Sequence, residues 1–102
     1  MKQNNMNMKK QKCENLVQAR EQIDGIDQAL IELIALRQFY VDQASRFKHS
    51  VQDVQSPERV EQVIAKVRAH AEAFGADPAV VEKLYREMIA QFIQRELKEI
   101  RP

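Results

Sequence analysis

The sequence predicts an all-α protein of three helices, one long and two shorter. Apolar residues recur at helical spacing along almost the whole chain from residue 13 onward. Only two Gly and three Pro occur among the 102 residues, so there is little room for turns and the helices must be long. Two pairs in which serine or aspartate precedes proline mark the joints between the helices.

The first helix is predicted over residues 13–48, which contain no Pro and a single Gly. Its apolar stripe consists of Leu16, Ile23, Ile26, Leu30, Leu33, Ile34, Val41, Ala44 and Phe47. A helix of about 35 residues is about 50 Å long, whereas a compact chain of this size has a diameter of roughly 30–35 Å. Because the stripe extends beyond what one small domain can cover, we expect a second copy of the chain to bury the excess. The predicted assembly is therefore a helical homodimer.

The second and third helices have their own start and stop signals. Residues 49–55 are polar and non-periodic, and we expect a loop there. Residues 56–58 (SPE) then supply a capping serine, a proline at the first helical position and an acid at the positive helix end. Gly75 ends the second helix. Residues 77–78 (DP) repeat the start signal for the third helix, which is predicted to continue to residue 100.

The charge balance and the few metal-binding residue types exclude several function classes. A formal net charge of +1 argues against general binding of nucleic acid or anionic membranes, which usually needs an excess of one sign. The one cysteine, Cys13, cannot form an intramolecular disulfide, and with the two histidines it makes no metal-ligand pattern. We therefore expect no metal site.

The amino-terminal residues differ in composition from the rest of the chain. Residues 1–12 are rich in Asn, Gln and Lys and contain no apolar stretch that could serve as a signal peptide or a membrane span. We predict a flexible polar tail over residues 1–12 and one helical domain over residues 13–102. The expected location is the cytoplasm.

One carboxylate interrupts an apolar row of the third helix. At a spacing of four residues, the row consists of Val80, Leu84, Met88, Phe92, Glu96 and Ile100. If Glu96 is buried with its neighbours, burial favours the neutral acid, which can donate a hydrogen bond. The alternative is that the stripe drifts as the helix ends, so that Glu96 faces water beside Arg95 or Lys98.

Four basic residues could surround a small anionic ligand. Arg37 and Lys48 are 11 residues apart, which leaves them within about 20° of one helix face. Arg20 points roughly 100° away from that face, so it reaches a partner's site more easily than its own. Arg59, near the start of the second helix, could stand at the mouth of such a pocket. Each of these taken alone is usually a solvated surface residue, but together with Glu96 they suit a ligand with two carboxylates.

Several segments together resemble the helical chorismate mutases. The first helix carries residues 19–27 (AREQIDGID), 33–37 (LIALR) and 47–48 (FK). Residues 57–60 (PERV) and 84–89 (LYREMI) extend the resemblance into the other two helices. It covers about residues 14–100, and the ordered series of Arg, Arg, Lys and Arg makes it fairly specific.

Within that family, two segments look closest to the isochorismate pyruvate lyases, which make salicylate and retain some mutase activity. They are residues 44–48 (ASRFK) and 56–60 (SPERV). Typical bacterial mutases have a glutamate directly after the arginine matched by Arg59, whereas this chain has Val60, as the lyases do. Many members have a glutamine where this chain has Glu96, and some fungal mutases use a glutamate that must be protonated.

The resemblance implies an intertwined homodimer with shared active sites and a concerted reaction without a cofactor. The substrate would be chorismate, rearranged to prephenate, or isochorismate, split into salicylate and pyruvate. Arg37 would bind one carboxylate and Arg20 of the other subunit the second, while Arg59 would close the entrance. Lys48 and neutral Glu96 would both donate to the breaking ether oxygen.

Three functions stay open from the sequence. The first is a chorismate mutase, and the second is an isochorismate pyruvate lyase. The third is a non-catalytic helical dimerisation or regulatory module, which is favoured if the cations are exposed and scattered and disfavoured if they converge on one cavity.

Overall fold

The computed structural model describes residues 10–99 and is built from helices. They are α1 (Leu16–Ser45), α2 (Val51–Gln55), α3 (Pro57–Phe74) and α4 (Pro78–Glu99). The all-α class and the three long helices are confirmed, and the short α2 lies inside the segment expected to be a loop. Most of the predicted amino-terminal tail and the predicted end of the last helix at residue 100 lie outside the described residues.

The described chain divides into two compact units, residues 10–35 and residues 36–99. The helix α1 contributes residues to both of them. Among residues 10–99, none of the helices combines the length and the apolar character needed to cross a membrane.

In the first unit, α1 begins three residues later than the sequence analysis predicted. The backbone N–H of Gln18 donates to Oδ1 of Asn15 at 2.8 Å, and the N–H of Glu14 donates to Oε1 of Gln18 at 2.9 Å. These reciprocal bonds satisfy free N–H groups at the helix start, as a capping box does. The chain therefore turns into a helix at Leu16 rather than at Cys13.

The apolar residues of this first unit are uncovered. No residue of α1 is buried, and seven of its large aliphatic side chains between residues 16 and 34 retain 38–65% of their surface. They are Leu16, Val17, Ile23, Ile26, Leu30, Ile31 and Ile34. A single helix has no second element to pack on, so these side chains form an apolar surface rather than a core.

In the second unit, α1 ends before the predicted boundary at residue 48. The N–H groups of Arg46, Phe47 and Lys48 donate to carbonyls three residues earlier, at 3.0–3.2 Å. This tighter pattern is common at the ends of α-helices. Lys48 therefore lies in a turn, and its predicted place on the same helix face as Arg37 is wrong.

The short helix α2 depends on a local cap that the sequence analysis missed. The hydroxyl of Ser50 accepts a hydrogen bond from the N–H of Asp53 at 3.1 Å. After one turn, the N–H of Ser56 donates to the carbonyl of Gln52 at 2.9 Å. Ser56 has a φ of 22°, a backbone conformation that residues with a side chain rarely adopt. The turn at Ser56 lets α3 start directly after α2.

The predicted signals for α3 and α4 are confirmed in position. Pro57 occupies the first turn of α3, although Ser56 makes no side-chain capping bond there. Gly75 ends α3 with a φ of 80°, which glycine adopts without steric cost. Asp77 starts α4 by accepting from the N–H of Ala79 at 2.9 Å.

The helices α3 and α4 pack on each other, and α2 packs on α4. Their buried apolar residues are Val54, Ile64 and Ala71. At the surface, Arg86 bonds Glu61 at 2.8 Å and Glu82 at 2.7 Å, and Arg68 bonds Glu82 at 2.6 Å. Hydrogen bonding to Arg86 lowers the pKa of Glu61 and of Glu82 from their ordinary value. This cluster ties α3 to α4 outside the core.

Candidate active site

The second unit contains a cavity of about 370 Å³ that is open on one side and lined by all of its helices. Its charged lining consists of three cations and two carboxylates, namely Arg37, Lys48, Arg59, Asp53 and Glu96. Its apolar lining includes Val41, Val54, Val60, Val63, Ile89, Phe92 and Ile93. A few polar groups in a mostly apolar hollow are typical of a site for a small molecule.

Glu96 is the buried charged residue of the described chain. It lies on the last turns of α4 and retains 9% of its surface. Glu96 is therefore buried, although Val80 and Leu84 of the same row are 53% and 64% exposed, and the alternative in which Glu96 faces water is wrong. A buried carboxyl needs partners, because an unpaired charge away from water is strongly destabilising.

Two donors, one from the last residue of α1 and one from the turn after it, bind one oxygen of this carboxyl. The Nζ of Lys48 is 3.0 Å from Oε2 of Glu96, and the hydroxyl of Ser45 donates to the same oxygen. Lys48 is itself half-buried, with 28% of its side chain exposed. The ammonium group of Lys48 is thus held at the wall of the cavity by its ion pair with Glu96.

Arg37 projects into the cavity from α1 and is held by aromatic rings. The carbon at the centre of its guanidinium lies 5.6 Å from the ring centre of Tyr85 and 5.8 Å from that of Phe92. These distances fit cation–π contacts, which fix the direction of the guanidinium without using its hydrogen-bond donors. Among residues 10–99 no carboxylate lies within ion-pair distance of Arg37. Its donors are therefore available to a bound anion.

Arg59 and Val60 face the cavity from the first turn of α3. Arg59 is exposed and Val60 is half-buried, which suits a cation at the cavity mouth and an apolar group further inside. Within the described part of the chain, Arg59 too has no ion-pair partner. Two guanidiniums are therefore free to bind anionic groups in one cavity.

Arg20 lies in the first unit, where its side chain is exposed. It is not one of the residues that line the cavity of the second unit. Its part in a site shared between two chains stays a prediction.

Sequence reasoning missed several polar residues of the cavity region, among them Asp53 and Ser45. Asp53 lines the cavity from α2 and accepts from the backbone N–H of His49 at 3.2 Å. Ser45 bonds Glu96 across 51 positions of sequence. Asp53 could have been found from its place three residues after Ser50, a capping spacing, whereas nothing local to Ser45 indicates its partner on α4.

Comparisons with known proteins agree with this geometry. The sequence model of the family described as chorismate mutase type II matches residues 19–97. Isochorismate pyruvate lyase of Pseudomonas aeruginosa is 36% identical over 86 residues, which are 84% of this chain and 85% of that protein. The T-protein of Enterobacter agglomerans is 32% identical over 77 residues, which are 74% of this chain but 21% of that protein. The resemblance predicted from the sequence is confirmed.

Proposed function

The chain belongs to the chorismate mutase type II family, and we propose that it is a chorismate mutase that rearranges chorismate to prephenate. One observation carries this proposal. Two arginines without carboxylate partners in the described chain, Arg37 and Arg59, share an apolar cavity with the ion pair of Lys48 and Glu96. Such a cavity is complementary to a small molecule with two carboxylates and one polar reacting bond.

The arginines would bind and orient the substrate. A guanidinium clamps a carboxylate through two parallel hydrogen bonds, and the contacts of Arg37 with Tyr85 and Phe92 leave its donors free for this. Arg20 of a second chain would bind the other carboxylate, and Arg59 would close the cavity mouth. Holding the substrate in its reactive conformer removes much of the entropic barrier of a concerted reaction.

The pair of Lys48 and Glu96 would act on the breaking bond. As the ether bond lengthens, negative charge grows on its oxygen, and a donor fixed in advance stabilises that charge. Lys48 supplies such a donor from the cavity wall. Glu96 adds a second one when it is protonated.

A second enzymatic function is isochorismate pyruvate lyase, which yields salicylate and pyruvate. Two observations favour it. Val60 faces the cavity next to Arg59, where typical mutases of the family carry a glutamate. The relative with 36% identity along 85% of its length is named isochorismate pyruvate lyase.

The proposed assembly is a homodimer. The apolar side chains of α1 in the first unit retain 38–65% of their surface in the single chain, and a patch of this kind usually marks an interface. A second copy would cover it with the same stripe by two-fold symmetry. This arrangement would also supply Arg20 to the partner's cavity.

A non-catalytic helical module is the remaining alternative, and the convergence of Arg37, Lys48, Arg59 and Glu96 on one cavity weighs against it. The test is to incubate the purified protein with chorismate and, separately, with isochorismate. Prephenate from chorismate supports the proposal. Salicylate and pyruvate from isochorismate, without prephenate, would replace mutase by lyase. The absence of both products would leave the non-catalytic module.

A further inference from the structure

Ser45 has a single hydroxyl proton and two acceptors within reach. It is the last residue of α1, and its Oγ lies 3.1 Å from the carbonyl oxygen of Val41, one turn earlier. The same Oγ also bonds Oε2 of Glu96. Since one hydroxyl donates one proton, it can donate to the carboxylate or to the backbone, but not fully to both.

The two oxygens of the Glu96 carboxyl have different surroundings. Ser45 and Lys48 both donate to Oε2, and Oε1 has no hydrogen-bond partner among residues 10–99. No buried side-chain oxygen of these residues lacks a partner, so Oε1 keeps contact with solvent. Because Glu96 lines the cavity, Oε1 is the oxygen left for a molecule that enters it.

We infer that Ser45 is a positioning residue that fixes Oε2 of Glu96 and so makes Oε1 the oxygen that carries the proton and meets the substrate. This inference rests on the proposed function, in which neutral Glu96 donates to the reacting ether oxygen. Two donors at Oε2 leave little room for a proton there, so the proton of neutral Glu96 goes to Oε1. On Oε1 the proton is on the oxygen that has no hydrogen-bond partner among residues 10–99.

Lys48 alone cannot perform this task throughout the reaction. Its long side chain is proposed to donate to the substrate as well, which weakens its bond to Glu96. Ser45 has one rotatable bond before its oxygen and lies on a helix, so it holds Oε2 at little entropic cost. When Glu96 turns, the hydroxyl proton of Ser45 has a second acceptor in the carbonyl oxygen of Val41, at 3.1 Å.

Other ionisable groups line the same cavity as Glu96. From α1 and the turn after it, from α2 and from α3 they are Arg37, Tyr40, Lys48, Asp53 and Arg59. Substitution of Ser45 leaves all of them in place. A change in the pH dependence can therefore be assigned to the lost hydroxyl.

The experiment compares Ser45→Ala and Ser45→Thr with the parent protein. The ionised carboxylate loses a donor in Ser45→Ala, so the neutral form should persist to higher pH, by about one pH unit for a bond to a charged group. The fall of kcat/KM at high pH should move by the same amount. At low pH, kcat should fall on the order of tenfold with little change in KM, and Ser45→Thr, which keeps the hydroxyl, should restore both properties.

The matched control is the same pair of variants in a Glu96→Gln background. Glutamine does not ionise, so Ser45→Ala should then leave the shape of the pH profile unchanged. A displaced profile in this background would overturn the inference, because the hydroxyl would then act through another group.

A readout without substrate separates this inference from the proposed function. The carboxyl carbon of Glu96 can be titrated by NMR in each variant, and its midpoint should rise in Ser45→Ala and return in Ser45→Thr. An unchanged midpoint in a folded Ser45→Ala protein overturns the inference. If the midpoint moves but the parent converts neither chorismate nor isochorismate, the proposed function fails while the hold of Ser45 on Glu96 stands.

Discussion

The two compact units of this chain differ in what covers their apolar side chains. In residues 36–99, α3 and α4 bury Ile64 and Ala71, and even the charged Glu96 is enclosed. In residues 10–35, Leu30 keeps 49% of its surface and no residue of the helix is buried. The second unit thus has its own core and cavity, whereas the first has an apolar surface without a core. An apolar surface of this kind is explained by association, and a cavity lined by paired and free charges by ligand binding.

The largest expected effect comes from removing the central cation of the cavity. Lys48→Ala deletes the donor that is bonded to Glu96 at 3.0 Å. In our proposal, the same donor also binds the breaking ether oxygen. We expect kcat to fall by about 10²–10³-fold, as when an oxyanion donor is lost, with the chain still folded. Steady-state kinetics on the accepted substrate measures this.

Lys66→Ala is the matched control, since Lys66 is an exposed lysine of α3 outside the cavity. It should leave kcat and KM near the parent values. Equal losses in the two variants would show that the effect comes from net charge rather than from the cavity.

An effect of intermediate size distinguishes the buried apolar residues of the second unit from the exposed ones of the first. Ile64 is 4% exposed in the second unit, so Ile64→Ala should lower the free energy of unfolding by about 2–4 kcal/mol. Leu30→Ala should instead weaken association, because in the proposed homodimer a second copy covers that side chain. Urea unfolding at fixed concentration and sedimentation equilibrium measure the two effects. A Leu30→Ala protein with unchanged association would remove the proposed role of the first unit.

The smallest effect concerns the surface cluster between α3 and α4. Because Arg86 lowers the pKa of Glu61 and Glu82 in the folded chain, the cluster stabilises the fold above their ordinary value near 4.5. This contribution is lost as the pH falls through the lowered values. Arg86→Gln should therefore lower the urea midpoint slightly at neutral pH and not in strong acid.

Salt provides the control for this surface effect. The groups are exposed, so high salt should shrink the neutral-pH difference between Arg86→Gln and the parent. A difference that persists in acid would mean that packing of the Arg86 stem, not its charge, stabilises the contact.

Local signals made much of the fold predictable. Pro57, Gly75 and Pro78 act through their own backbone geometry, so they mark the helix ends without knowledge of the rest of the chain. The break in the apolar row at Glu96 offered a buried acid as one of two alternatives, and only the structure decides between them.

The remaining features depend on short or distant interactions. A five-residue helix such as α2 is too short to show periodicity, and only the cap by Ser50 reveals it. The start at Leu16 follows from the Asn15 and Gln18 caps, which compete with the apolar pattern used to predict residue 13. The bond from Ser45 to Glu96 joins residues 51 positions apart, so it required the packed structure.

In the proposed homodimer, the cavity of one chain and Arg20 of another together form each active site. The most direct measurement combines two variants, Arg20→Ala and Lys48→Ala, each of which should be nearly inactive alone. In a dimer with one chain of each kind, one site carries both defects and the other site neither. After refolding of an equal mixture, about half of the dimers are mixed, and about a quarter of the parent activity per chain should return.

Native mass spectrometry would verify that mixed dimers have formed. Recovered activity is the result that our account predicts. Mixed dimers without any recovery, or a protein that stays monomeric while fully active, would contradict it.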